Sequence, residues 1–587
     1  MTGSAKAAFD GFRHKHVKPL AVHHRLVTSA SRPMLRKVQD MTLWTHGSKQ
    51  SAWPSWSVSP LARLGLTSGL PVAFALWLLL SPGRVVSREM TWDMLFPLTG
   101  GWRVLQGQIP HVDFHDPAGS LNFLLAAAGF HLVGVRPYAF LAASSIFALA
   151  IFICACLAAA PRLPLLAATM FVVFACLLVL MPANAGDLPS AYSFAMSYNR
   201  YGWSALSVVA LILFLPTRAG DDGGIVAKAV VAVLLLAMFH LKVTYFAAGM
   251  AALGLAILIC PAMRARWQAW MAIGALLTVN ALAPYSFPYL ADLFANVGSG
   301  AVKSNFVLFL NYFLSNGTEH AVAVALVGLA VWLWLRGIAP VHVPLAAAFL
   351  VVSGWLLLSQ NIQFNGVPLP VVVALLLYQT LLSREFENPR TYQALGGLPV
   401  LLLIMPAIWI IMSGASVVGH YFKAHDPSWT VVDRTNLRGL EVPTEKPGLL
   451  AAFAKGDIVP QLLSWARVDR PRHELSSYEY IQTVLEAATI LSKYPRGRVV
   501  LLDEVNPIPF ILGWPSPHGG NLWSGPHEPQ QPAEQLLGDA DYVLVPKFST
   551  MGAWTQEAAS KIYGSYLTSH FHELQDSQSW LLLGRER

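Results

Sequence analysis

Apolar runs of about 17 to 24 residues, long enough to cross a bilayer, recur at 64–81, 138–159, 163–182, 201–216, 225–241, 243–260, 267–286, 320–336, 342–359, 367–383 and 393–415. No water-soluble core absorbs that many uninterrupted apolar runs. In lipid each run must satisfy its own backbone, which a helix does. The pattern therefore predicts a polytopic α-helical membrane protein with about eleven transmembrane helices. The composition agrees, with 55% hydrophobic and 12% charged residues, where a soluble chain carries roughly 25% charged.

The formal charge of +8 does not point to nucleic acid, because much of it sits in the first sixty residues, at Arg13, Lys15, Lys18, Arg25, Arg32, Arg36, Lys37 and Lys49. A basic tail before a first span is a cytoplasmic retention signal. The tail lacks a short apolar core followed by a small-residue cleavage site, so no removable signal peptide is read there. Residues 1–60 are thus expected to be a disordered basic cytoplasmic tail. All four cysteines, Cys154, Cys156, Cys176 and Cys260, lie inside apolar runs and read as packing residues.

Charge also sets the topology. Arg384 and Arg390, Arg336, Arg264 and Arg266, and Arg218 and Lys228 mark cytoplasmic turns. That puts 183–200, 287–319, 360–366 and everything after 415 outside. Counting forward from the basic tail puts 82–120 outside too. The two counts agree only if the short apolar stretch 121–135, which carries Asn122 and His131, does not cross. It is expected as a juxtamembrane or re-entrant helix within a first outer loop, 82–137. The predicted setting is the plasma membrane, the inner membrane of a bacterium.

The transmembrane part covers 61–415. Beyond it, strand-like runs at 498–503, 541–546 and 579–584 alternate with helical stretches near 474–492 and 555–571, which predicts an extracytoplasmic α/β domain over 416–587. Its loop "NPIPFILGWPSPHGGNLW" reads as an ordered surface loop or, alternatively, as a sugar-contacting lid.

The ionisable residues gather in the outer loops. The first, "TWDMLFPLTGGWRVLQGQIPHVDFHDPAGS", carries Asp93, Arg103, Asp113, His115 and Asp116, with Arg136 further on. The second carries Asp187, Tyr198 and Arg200, and Lys242 separates two apolar runs. The carboxylate after the first span, followed by Gly107, Pro110, Asp113 and Phe114, resembles the first loop of GT-C-type glycosyltransferases, the ArnT/protein-mannosyltransferase-like superfamily of integral-membrane enzymes that use polyprenyl-phosphate sugars. His111 stands where that pattern has an aromatic residue, and "DPAGS" lacks its second proline.

The resemblance implies transfer of a sugar from a polyprenyl-phosphate donor to an extracytoplasmic lipid, polysaccharide or protein acceptor. Asp93 is then the general base. Asp113 is a second catalytic candidate, and Lys242, Arg200, Arg136, His115, Asp116 and Tyr198 are candidate substrate-binding groups. An oxygen-only pair such as Asp113 and Asp116 is too small a set to specify a metal, which leaves Mg²⁺ or Mn²⁺ open, and no organic cofactor is implied. Each residue also has a plainer reading: Asp113 and Asp116 as turn caps, Lys242 as a lysine snorkelling at a span end, Arg200 as an interfacial anchor. Two other functions compete, a ligase of lipid-linked glycans and a transporter or flippase of a lipid-linked substrate. Long clean spans and one polar face favour surface chemistry over transport.

Overall fold

The computed structural model describes residues 59–298, 310, 313, 317–359, 366–383, 397–444, 475–525, 530–547, 550 and 556–586. The basic tail to residue 58, Arg384, Arg390 and most of the polar loops 311–320 and 359–366 lie outside them. The membrane part begins with α1 (Pro60–Leu80), strand β1 (Val85–Val86), α2 (Thr91–Leu105), α3 (Leu121–Val133), α4 (Ala139–Ala159) and α5 (Leu165–Leu180). It continues through α6 (Ser197–Phe214), α7 (Gly224–Leu241), α8 (Val243–Ile259), α9 (Trp267–Ala281), α10 (Phe287–Gly298), α11 (Gly317–Leu335), α12 (His342–Ser359), α13 (Pro370–Leu382) and α14 (Ile404–Lys423).

Helix α1 shows why these segments belong in lipid. Ser59 caps its N-terminus by accepting from Ala62 N at 3.2 Å, and Pro60 occupies the first turn, where its missing N–H costs nothing. Leu64, Ser68, Val72, Ala75 and Leu79 are buried at helical spacing. Leu66, Leu70, Phe74 and Trp77 form the opposite stripe and are exposed. A stripe that apolar is a lipid-facing surface.

Five described helices or helix pairs are long and apolar enough to cross a membrane: Pro60–Leu80, Ala139–Ala159, Gly224–Leu241, His342–Ser359 and Leu398–Lys423. The pair Trp267–Ala281 and Pro284–Val297, bent by 59°, makes a sixth if it is one broken span. The protein is a polytopic helical membrane protein. Several runs read from sequence yield shorter helices, because prolines and one lysine cut their ends. Pro164 and Pro182 bracket α5, Lys242 and Pro261 bracket α8, and Pro370 opens α13. Every residue from Phe171 to Leu180 in α5 is buried, so this helix is enclosed by protein and its length need not match the bilayer. Cys156, Cys176 and Cys260 are buried and Cys154 half-buried, all as free thiols.

Beyond α14 come β2 (Trp429–Val432), β3 (Leu440–Pro443), α15 (Ser477–Leu491), β4 (Val499–Leu501), β5 (Tyr542–Pro546), α16 (Gln556–His570), β6 (Phe571–Asp576) and β7 (Trp580–Arg585). Strands β4 and β5 pair in parallel, and β7 joins them antiparallel in the order β4-β5-β7-β6. A capping box, Ser476 with Glu479, starts α15.

Residues 58–587 cluster as one compact unit, and the first loop holds its two ends together. Val85 and Val86 pair in parallel with Leu440 and Glu441 of β3, and Arg84 pairs with Glu441 at 2.8 Å. The 514–522 loop grips the first loop from the other side. Trp102 Nε1 and Gln106 Nε2 donate to Trp514 O at 3.0 and 2.8 Å, Arg103 Nη1 donates to Gly519 O at 3.0 Å, and His115 N donates to Gly520 O at 3.0 Å. This loop is a clasp. One hydrophobic core runs through Trp92, Phe123, Phe130, Tyr480, Phe510 and Trp580, so α2 and α3 pack with the chain beyond α14.

Helix α3 occupies the stretch whose crossing the charges disfavoured. Near its start, Asn122 Nδ2 donates to Leu241 O at 3.1 Å, and near its end Phe130 stacks on Phe510 at 5.5 Å. Its two ends thus touch the α7–α8 break and the chain beyond α14.

Candidate active site

The site forms where α2, the 106–120 loop, α6, the α7–α8 break and α10 meet. Asp93 sits in the first turn of α2, which follows Met90 in the left-handed region at φ 53°. Across from it α6 starts in the same way, at Met196 with φ 48°. Side chains larger than glycine seldom adopt such values, and they persist where surrounding structure holds them. Here the held groups meet, since Met196 N–H donates to the Asp93 carboxylate. Burial of that carboxylate raises Asp93 from 3.8 to about 7, and the Met196 N–H offsets only part of the rise. Asp93 Oδ1 has no hydrogen-bond partner among the described residues, and neither does the adjacent Trp92 Nε1.

Lys242 owes its place to a broken helix. It is extended (φ −163°, ψ 116°) between α7 and α8, and groups freed by the break find new partners. Leu241 O accepts from Gly119 N at 2.9 Å and from Asn122 Nδ2, while Val243 N donates to the Tyr289 hydroxyl at 3.2 Å. A break in a membrane helix is tolerated on these terms. Lys242 Nζ donates to Asn199 Oδ1 at 3.3 Å and stands 5.0 Å from the Tyr198 ring centre. The Tyr198 hydroxyl is within electrostatic reach of both Asp93 and Asp116, and Asp116 also acts on Lys242. Asp93, Tyr198, Asp116 and Lys242 are therefore linked as electrostatic neighbours.

Asp116 is buried, and its Oδ1 accepts from Ala118 N at 2.7 Å. Gly119 follows in close contact with α7: a Cβ there would lie 2.1 Å from His240 O. This contact explains "DPAGS", where only glycine lets the loop approach the end of α7. Asp113 is placed differently, half-exposed with Oδ2 accepting from Ile109 N at 2.7 Å, which closes its own turn. Arg136 Nε donates to Val133 O at 2.9 Å, at the end of α3, and its guanidinium lies 5.1 Å from the Tyr138 ring centre. Arg200 is buried at the start of α6, with Asp187 and Tyr201 as its electrostatic neighbours; its Nε and Nη2 have no hydrogen-bond partner among the described residues.

Residues the sequence reading passed over complete the group. Asp292 of α10 accepts from His111 Nδ1 on Oδ2 and from His115 Nδ1 on Oδ1, both at 2.8 Å, and Asp116 N donates to Oδ2 at 3.2 Å. The bond to Asp292 raises His115 above the ordinary imidazole value, with burial opposing it. Tyr289, one turn earlier, lies 4.6 Å from the His111 ring. Asp292 gave no local signal beyond being the one acid in "FPYLADLFANV". No group of three or more His, Cys, Asp or Glu among the described residues has the geometry of a metal site.

No protein-family model and no curated protein matches this chain. A solved structure is similar to it. The crystal structure of ArnT from Cupriavidus metallidurans bound to undecaprenyl phosphate aligns over 88% of this chain and 98% of its own, at 11% identity and a TM-score of 0.40. A likeness that distant carries no residue's role across, and the roles below rest on this chain's own groups.

Proposed function

We propose that this protein is a membrane glycosyltransferase that moves a sugar from a polyprenyl-phosphate donor to a hydroxyl-bearing acceptor outside the cytoplasm. The observation that carries the reading is that a carboxylate poised near neutral pH, Asp93, and a lysine at a helix break, Lys242, both lie beside Tyr198, with Asp116 an electrostatic neighbour of Tyr198 and Lys242. In this reading about eleven membrane crossings put that face outside, with the N-terminal tail in the cytoplasm and the 416–587 region as an extracytoplasmic domain.

Asp93 takes the proton of the acceptor hydroxyl as its oxygen bonds to the anomeric carbon. The bond from that carbon to the phosphate oxygen breaks, and its electron pair leaves with the polyprenyl phosphate. A base is most effective with a pKa near the working pH, and burial brings Asp93 to that range. Lys242 meets the charge that develops on the departing phosphate. Arg200, buried with two nitrogens that have no partner among the described residues, is the second cation assigned to that charge. A single displacement of this kind inverts the anomeric centre. Asp113 and Arg136, both bonded within their own turns, serve the shape of the loop rather than the chemistry.

The test uses the full-length protein in lipid nanodiscs with a radiolabelled polyprenyl-phosphate sugar and an envelope extract as acceptor source. Label should pass to an acceptor with inverted configuration. Movement of intact donor across the membrane without sugar transfer would instead make the protein a flippase.

A further inference from the structure

At the site the first loop is bonded by a residue 181 positions from His111 in the chain. Asp292 uses both carboxylate oxygens on the segment 111–116: His111 Nδ1 and Asp116 N on Oδ2, His115 Nδ1 on Oδ1. An ionised carboxylate only accepts, so both imidazoles carry their proton on Nδ1. The His111 half of the arrangement is enclosed, with side-chain exposures of 5% for His111 and 10% for Asp292, and His115 is 31% exposed. His111 adopts φ 66°, and its N–H donates to Phe114 O at 2.7 Å, so the loop is wound tightly about the two rings. On the other flank, Ala118 N holds Asp116 Oδ1 and Gly119 N is bonded to Leu241 O.

Helix α10, which carries Asp292, is anchored at the same break that exposes Lys242, through Tyr289 and Val243 N. Its other face presents Phe287, Phe294 and Val297 outward. One short helix thus touches both the backbone beside the ammonium and the loop that bears the carboxylate.

We propose that Asp292 is a positioning residue of the donor site, holding Asp116 at a set distance from Lys242 through the His111–His115 clamp. The inference rests on the transferase reading for what the pair does, and on the clamp geometry alone for how the pair is placed. Asp292→Asn keeps the size of the side chain, but its amide nitrogen cannot accept, so either His115 Nδ1–H or both His111 Nδ1–H and the Asp116 N–H lose their acceptor.

Two measurements on full-length protein in nanodiscs test it. Hydrogen–deuterium exchange of segment 109–116 should speed up about tenfold in Asp292→Asn, with an unchanged melting temperature. Unaltered exchange there overturns the inference, whatever the activity. In transfer assays, Asp292→Asn should raise the donor KM about tenfold with kcat within about twofold, and adding His111→Asn and His115→Asn should cost little more. Equal losses in kcat for every variant, or fully additive effects, also overturn it. If wild-type protein transfers no sugar while the exchange result holds, the transferase reading fails and the clamp stands.

Discussion

The two ends of the α6–α7 region hold buried charge in opposite ways. At the end near residues 217–228, Arg162 gives Nε to Leu215 O at 2.8 Å, Nη1 to Ala158 O at 3.0 Å and Nη2 to Asp222 O at 3.0 Å. Asp222 in turn accepts from Lys228 Nζ and from Trp270 Nε1. None of these side-chain atoms is orphaned. At the other end Trp92 Nε1, Asp93 Oδ1, His111 Nε2, Asn199 Nδ2, Arg200 Nε and the Tyr245 hydroxyl are buried with no hydrogen-bond partner among the described residues. Native proteins satisfy nearly all such groups, and a cluster of exceptions needs a reason. The satisfied corner fixes the fold, whereas the proposed transfer reaction would give the other one its use, as polar groups left for a ligand or water.

Substitutions at the two ends should therefore fail in different assays. Asp93→Asn should lower kcat for sugar transfer by about a thousandfold while the protein still folds; a loss below tenfold would break the assignment of the base. Asp222→Ala should do the reverse, removing about 3 kcal/mol of stability by leaving Lys228 buried without its anion, as read by thermal or denaturant unfolding, with transfer per folded molecule unchanged. Lys242→Met should lower kcat/KM for the donor roughly thirtyfold, mostly through kcat, and Lys228→Met should not.

The pH profile sharpens the same contrast. A carboxylate raised to about 7 acts as a base only above that pH, so kcat should fall about tenfold per pH unit below 7. The smallest effect concerns stability. Ionisation of Asp93 works against folding, and its cost grows from the unfolded value near 3.8 to the folded value near 7. Asp93→Asn should thus melt slightly higher than wild type at pH 8 and no higher at pH 4.

Most of the helices were legible because an apolar run of bilayer length has one available structure, and the charges beside each run grouped the loops. The contacts between Val85 and Leu440, His115 and Gly520, and His111 and Asp292 join segments that those charges placed on a common side. Helix ends were less legible, because the runs continue past the prolines that stop the helices. Within the site, Asp93 and Lys242 stood out as a carboxylate after a span and a cation inside an apolar stretch, each costly without a purpose.

By itself, the sequence determined that the chain is a bundle of membrane helices with its ionisable groups gathered in a few loops, since hydropathy and charge act locally along the chain. Only the tertiary structure decided which of those groups meet. Asp113 turned back on Ile109 N, Arg136 onto the end of α3, and the Pro- and Gly-rich 514–522 loop onto the first loop. Asp292 entered the site from α10, 181 residues from His111. Whether a polar side chain closes its own turn or reaches a distant partner depends on packing around it, and that information is spread over the whole chain.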